Sequence, residues 1–356
     1  MNQNGPERFP GGASGGVFDN VAEAIGRTPL IRLHRVVGDI RTPVYIKLES
    51  FNPGGSVKDR IGLAMIESAE RAGLLGPGGT VVEGTSGNTG VGLAIVAAVR
   101  GYRCIFTIPD KMSSEKIKLL RALGAEVVIT PSDVAPDHPD YYVNAARRIA
   151  EETPGAFMAD QHYNPDNPEA HYRTTGPEIW NQTEGRVTHF VTSPGTGGTI
   201  SGTGRYLKEM NPAIRIVAGD PEGSIYAEYA RTGNKGPDAP YLVEGIGNDK
   251  ISGTVHFEWI DEFRIVSDHE AFAMARRLAR EEGLLSGGST GLIVKAALDV
   301  AREADDPDAC VVTLLCDSGE RYLSKVFDEE WLRANGLASV LEAERRATEE
   351  KGEAAP

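Results

Sequence analysis

The chain has 356 residues and is poor in cysteine and tryptophan, with 3 of each. Cys104, Cys310 and Cys316 stand apart, without a Cys-x-x-Cys pair, and each falls in an apolar, strand-like run. That excludes a disulfide framework and marks all three as small buried hydrophobes, as in a protein of the reducing cytoplasm. Histidines and carboxylates show no metal-ligand spacing, so no metal is expected. No run approaches the roughly 20 apolar residues of a membrane span. The N-terminus has Gly and Pro where a signal peptide needs an apolar core. Positive charge is also short, with 37 Lys and Arg against 51 Asp and Glu. The resulting net charge of −14 excludes a phosphate-backbone partner such as nucleic acid.

Hydrophobic residues make up 40%, enough for two domains that share one cleft. Residues 1–16 include Gly-Gly-Ala-Ser-Gly-Gly and are expected to be a disordered arm. From 80 onward, apolar runs of strand length alternate with helix-period segments. Strands are predicted at 80–83, 103–108, 125–130, 157–159, 189–193, 215–219, 263–266 and 311–316, after two earlier ones at 30–33 and 44–48. Helices are predicted at 21–25, from 58 to about 73, and at 89–99, 113–123, 141–151, 174–182, 199–209, 268–282 and 290–302. The last but one carries Asp268 as its cap. This alternation argues for α/β layers with largely parallel sheets. The charged segment 337–356 reads as a frayed, solvated helix.

Three stretches carry chemistry. Asn52-Pro53-Gly54-Gly55-Ser56-Val57-Lys58-Asp59-Arg60 runs a Gly-rich turn into a Ser-capped helix, with Lys58 in the first turn. The helix dipole disfavours a cation there and lowers the amine's pKa, which favours a neutral nucleophile. On spacing alone, a solvated surface lysine fits as well. Thr85-Ser86-Gly87-Asn88-Thr89 follows a strand and opens a helix, where free backbone N–H groups make an anion site. Gly195-Thr196-Gly197-Gly198-Thr199 repeats the device in front of another helix and suits a phosphate. This last loop, with Asp220 about 20 residues on, also fits a dinucleotide-binding unit, although Ile200 holds the place of its third glycine. On the residues alone, a nicotinamide-dependent oxidoreductase therefore stays open.

Taken together and in order, these motifs resemble the pyridoxal-phosphate (PLP) enzymes of the cysteine synthase and cystathionine β-synthase family, over residues from about 20 to 336. The resemblance implies the two-domain α/β fold called PLP fold type II (tryptophan synthase β-like), with parallel sheets flanked by helices. It places the smaller domain at 44–159 and the larger PLP-binding domain at 17–43 plus 160–336, in a homodimer. It implies that Lys58 carries the cofactor as a Schiff base and removes the substrate's α-proton. Asn88 would contact the cofactor's ring oxygen, and Gly195, Thr196, Gly197, Gly198 and Thr199 would cradle its phosphate. Ser318, in Asp317-Ser318-Gly319-Glu320-Arg321, would face the pyridine nitrogen, with Asp317 pointing away or capping. Thr85, Ser86, Gly87, Asn88 and Thr89 would hold the substrate carboxylate, with Gln161 and Gly245 beside the substrate. A neutral hydroxyl at the ring nitrogen leaves a weaker electron sink, which favours β-elimination and replacement over transamination.

Three residues depart from the family pattern. His162 follows Gln161 where an aromatic is common, and Asn248 and Lys250 replace bulkier residues after the Gly245-Ile246-Gly247 turn. Among amino-acid substrates, two loops, 111–116 and 220–224, look like those of cystathionine β-synthase. Segment 319–324 looks like cysteine synthase. The balance favours serine and homocysteine giving cystathionine, with O-acetylserine and sulfide as the alternative. Homocysteine would need polar partners at the mouth of the cleft, which Lys111, Lys116, Asp249 and Lys250 could supply. The resemblance ends at about residue 336, so neither the regulatory modules of many cystathionine β-synthases nor the haem-binding extension of the animal enzymes is expected in these residues.

Overall fold

The computed structural model describes residues 17–345 except 86, 111, 113, 136 and 343; the arm 1–16 and the segment beyond 345 lie outside the described residues. The chain runs through β1 (Leu30–Arg32), β2 (Val44–Leu48), α1 (Lys58–Arg71), β3 (Thr80–Gly84), α2 (Asn88–Arg100), β4 (Arg103–Pro109), α3 (Ser114–Ala122), β5 (Glu126–Thr130), α4 (Tyr142–Glu152) and β6 (Ala156–Met158). It continues through α5 (Asp166–Arg173), α6 (Thr175–Gln182), β7 (His189–Thr192), α7 (Gly198–Met210), β8 (Arg215–Pro221), α8 (Tyr226–Thr232), β9 (Glu262–Val266), α9 (Asp268–Arg277), α10 (Gly288–Ala304), β10 (Val311–Leu315) and α11 (Glu329–Ala334).

The strands form two sheets. One has four strands in the order β5-β4-β3-β6, all parallel. The other has six in the order β1-β2-β10-β7-β8-β9, parallel except for β1 against β2. The central strand β10 is buried throughout, and its run Val-Val-Thr-Leu-Leu lacks a polar alternation, as a strand covered on both faces requires. The smaller sheet's core joins α1 and α2 through Ile61, Met65, Leu93 and Val96. These two helices cross at Gly62 and Gly92: a Cβ on Gly92 would lie 2.6 Å from the carbonyl oxygen of Lys58. The first turns of both helices, which carry Lys58 and Asn88, are thereby brought together.

The structure moves several expected features. β2, expected in the smaller domain, pairs in register with β10 in the six-stranded sheet, so the smaller sheet begins at β3 rather than at Val44. Its run Val-Tyr-Ile-Lys-Leu carries apolar residues suited to either sheet, and pairing partners decide such a case. The cap of α9 is Ser267, not Asp268; its hydroxyl accepts from Glu270 N–H and the Glu270 carboxylate returns to the Ser267 N–H, a complete capping box. The segment after 336 is docked rather than wholly solvated, with Ser339 and Glu342 facing out and Leu337 buried. Val340 and Leu341 are buried in the larger core, and Glu344 pairs with Arg276 and Arg280. Among the described residues no helix is long and apolar enough to cross a membrane.

Candidate active site

The loop that carries Lys58 is fixed to the end of β10. Val57 N–H donates to the Cys316 carbonyl at 2.9 Å, and Ser56 bridges Asp317 in antiparallel fashion. Ser56 Oγ accepts the Lys58 N–H at 3.2 Å, so the helix start is stabilised by a hydroxyl two residues earlier. The Lys58 side chain enters a cavity of about 290 Å³ between the two sheets. Burial lowers its amine pKa, against smaller opposing effects of Cys316 and Asp317. A desolvated amine prefers its neutral form, the form that attacks a carbonyl.

Around Lys58 the cavity gathers Asn88, Thr89, Gln161, Gly195, Thr196, Gly197, Thr199 and Gly245, all expected at the site. Thr89 Oγ1 donates to Gln161 Oε1 at 2.6 Å, which ties α2 to the end of the smaller sheet, and the Gln161 side chain also bonds the buried Glu83 carboxyl. Thr85, Gly87 and Gly198 stand behind this lining: Thr85 Oγ1 accepts the Gly87 N–H at 3.0 Å, and Gly198 opens α7. Ser86 lies outside the described residues.

The glycine loop before α7 packs where only glycine fits. A Cβ on Gly195 would collide with the Gly245 carbonyl oxygen, and Gly197 has φ +96°. The loop is held by Asn167 Nδ2 donating to Thr196 Oγ1 at 2.9 Å, and by the Tyr226 hydroxyl donating to Gly195 O at 2.7 Å. Ser193 Oγ, also in the lining, is buried without a hydrogen-bond partner among the described residues. A 13-residue helix aimed at the cavity, a glycine cradle and an orphan hydroxyl fit a phosphate group. Gly195→Ala is accordingly expected to push the two loops apart and weaken retention of a bound phosphate cofactor about tenfold or more. Titration of the apoprotein with the cofactor, followed by absorbance, measures this.

Asp317 turns into the cavity, and Ser318 does not line it. Asp317, expected to point away, is buried and lines the cavity. Its Oδ2 accepts from Asn88 Nδ2 and from the Tyr322 hydroxyl, each at 2.7 Å, while its Oδ1 has no partner among the described residues. Ser318 is not in the lining; its hydroxyl donates to Glu320 at 3.0 Å, and its N–H is tied to the Gly55 carbonyl. The antiparallel bridge of Ser56 to Asp317 sets which of the two neighbours turns inward. Ser289 and Tyr322 also line the cavity, though neither is among the expected site residues. For Ser289 the sequence does carry a signal: Ser286-Gly287-Gly288-Ser289-Thr290 opens α10 with the same Gly and hydroxyl pattern as the other two loops.

Lys116, expected at the mouth of the cleft, is buried and pairs with Glu244, which also takes Lys325 at 2.5 Å. Burial would raise the Glu244 carboxyl, but the two lysines outweigh it and hold it below its ordinary value. This triad joins α3 of the smaller sheet to loops of the larger one. Lys111 lies outside the described residues. The dinucleotide reading fails at Asp220. A ribose would need that carboxylate exposed, yet it is fully buried, and Oδ2 accepts the Ala227 N–H at 2.9 Å.

Residues 21–317 match the model of the family described as pyridoxal-phosphate dependent enzyme. The chain belongs to the pyridoxal-phosphate dependent enzymes. It is 45% identical over 323 residues to a cystathionine β-synthase of Apis mellifera, covering 90% of this chain and 64% of that protein. It is 47% identical over 307 residues to a cysteine synthase of Staphylococcus aureus, covering 86% of this chain and 96% of that protein. Among solved structures it is similar to an O-acetylserine dependent cystathionine β-synthase of Helicobacter pylori. That match has a TM-score of 0.80 and 40% identity, and covers 87% of this chain and 98% of that one. The chain spans less than two thirds of the length of the animal cystathionine β-synthases it matches. Pyridoxal phosphate is thus this enzyme's cofactor, and the fold is PLP fold type II.

Proposed function

We propose that this enzyme replaces the β-substituent of serine with a thiol, and that homocysteine is the thiol, giving cystathionine. The observation that carries the choice of a large nucleophile is the space outside the inner cavity. A second hollow of about 710 Å³ adjoins it and shares Tyr142, Tyr241, Glu244, Gly245 and Asn248 as walls. An amino-acid thiol needs such an anteroom, with polar groups for its own carboxylate and amine; sulfide needs none. The cystathionine β-synthase relatives support the same reading.

The bound cofactor supplies an electron sink for the charge left when the α-proton departs. The rest falls to this chain. Gly195 to Thr199 and the N-terminus of α7 would hold the phosphate, and Asn88, fixed by Asp317, would lie beside the cofactor. The substrate carboxylate would meet the first turn of α2, beside Gln161. Lys58, whose burial favours the neutral amine, would accept the α-proton. Its buried setting keeps the amine's basicity modest, so the same group can hand a proton to a departing hydroxyl. Serine needs that proton, whereas acetate leaves without one.

The second reading, cysteine synthase using O-acetylserine and sulfide, is favoured by the Staphylococcus aureus relative, which the chain matches nearly end to end. The deciding measurement compares kcat/KM for serine and O-acetylserine, each with homocysteine and with sulfide. Serine with homocysteine is expected to lead. If O-acetylserine with sulfide exceeds it by more than about a hundredfold, roughly 2.7 kcal/mol in the barrier, the cystathionine reading is wrong.

A further inference from the structure

His162 stands where the resembling family commonly has an aromatic, and it lines the cavity. Its Nδ1 is the ring nitrogen that the protein holds. Nδ1 lies 2.7 Å from Ser252 Oγ, Ser252 Oγ lies 3.1 Å from the Tyr226 hydroxyl, and that hydroxyl donates to the Gly195 carbonyl at 2.7 Å. A carbonyl only accepts, so the Tyr226 proton is spent there. A proton on His162 Nδ1, donated to Ser252, with Ser252 donating to Tyr226, completes this chain. Asn248 adds a donor to the same chain. Its Oδ1 accepts the Asp249 N–H, so its Nδ2 is the end that faces Ser252 Oγ and the Tyr226 oxygen, at 3.3 and 3.4 Å. The His162 backbone carbonyl is held by Thr254. Nε2 has no partner among the described residues, and with the ring proton on Nδ1 it carries a lone pair.

We propose that His162 is a specificity residue of the β-replacement site, whose Nε2 accepts a hydrogen bond from a proton-bearing group of a substrate. The group is either the β-hydroxyl of the amino-acid donor or the ammonium of the nucleophile. Geometry supplies the acceptor, and the surroundings keep it available. Burial, with Lys250 and Lys58 adding to it, pushes the imidazole down to about 3, so the ring stays neutral in the working range. A phenyl ring at this place would fill the same space and accept nothing. The assignment rests on the β-replacement reading.

The test uses the holoenzyme with His162→Phe and His162→Gln. Losing one neutral hydrogen bond is expected to lower kcat/KM for the protic substrate about threefold to tenfold. A fall for serine with O-acetylserine unchanged assigns the hydroxyl. Equal behaviour of the two donors, with a fall for homocysteine relative to sulfide, assigns the ammonium. His162→Gln restores an acceptor and is expected to recover part of the loss, which a purely space-filling role would not produce. Independently, ¹⁵N spectra of histidine-labelled enzyme should show the His162 signal, identified by its loss in His162→Gln, with Nδ1 protonated and Nε2 bare. Ratios that do not move in His162→Phe, or a proton on Nε2, overturn the proposal. A wild-type enzyme that turns over neither donor overturns the β-replacement reading instead and leaves the tautomer result standing.

Discussion

Lys58→Ala is expected to give a folded protein without the visible absorption of the attached cofactor and with almost no turnover. Two separate functions disappear with one amine. On the proposed reading the covalent attachment point is lost, and so is the group that accepts the α-proton; loss of a general base alone lowers rates roughly a hundredfold to ten-thousandfold. Folding is not at stake. The Lys58 contact that fixes the start of α1 is its backbone N–H on Ser56 Oγ, which alanine keeps, and alanine is the better helix former. Lys58 also takes part in no ion pair among the described residues, so its removal strands no opposite charge. Lys58→Arg sharpens the test: a guanidinium stays protonated and cannot take the attachment or the proton, so it should be as inactive as alanine. The measurements are the visible spectrum of the purified protein with and without borohydride, kcat/KM, and far-ultraviolet circular dichroism as a check on folding. An alanine variant with an unchanged spectrum and more than a tenth of normal activity removes Lys58 from its role.

The parts of this site that are legible in the sequence are those whose chemistry is local. A Gly-rich turn running into a capped helix is a contiguous pattern, and three such stretches mark Lys58, Asn88, Thr89 and the loop from Gly195 to Thr199. Periodicity likewise marks the long helices and the order of the strands. What stays hidden depends on partners far along the chain. Strand 44–48 belongs to the larger sheet because β10, more than 250 residues later, pairs with it. Helix α5 escapes a periodicity reading because Asp-Asn-Pro-Glu-Ala-His-Tyr-Arg has no apolar period. Its buried face is Asn167 and His171, which reach Thr196 and Thr199 beneath the phosphate loop. The inward turn of Asp317 rather than Ser318 follows from one antiparallel bridge to Ser56. Adjacent residues at a strand end face opposite ways, and composition does not say which way.

Arg60→Met is expected to cost about 3–5 kcal/mol of stability, the usual penalty for breaking a buried ion pair from one side. Arg60 belongs to the same Lys-Asp-Arg segment as Lys58, yet its work is structural. Its guanidinium holds both oxygens of Glu49, at 2.7 and 2.8 Å, and both oxygens of Glu178, at 2.7 and 2.8 Å. Glu49 is wholly buried and receives further hydrogen bonds from Thr28 and Asn52, while Lys47 bonds Glu178 at 2.8 Å. The cluster ties α1 to the loop after β2 and to α6, and so anchors the helix that carries Lys58. Burial alone would raise both carboxyls. In the wild type Arg60 and Lys47 outweigh it, holding Glu49 below its ordinary value and Glu178 at about 2 instead of 4.5. A carboxyl held low contributes its full stability above its unfolded pKa and loses it as pH falls through the folded one. The wild type should therefore weaken between about pH 4.5 and pH 2 from this cluster. Methionine fills similar volume but leaves Glu49 buried with its main counter-charge gone, and burial then raises its pKa. The sign reverses: the variant's deficit should be largest near pH 8 and shrink toward pH 5, as Glu49 takes up a proton. Urea unfolding of both proteins at pH 8, 6.5 and 5 measures the effect. A deficit below about 1 kcal/mol, or one that grows on acidification, would mean that Arg60 does not neutralise Glu49.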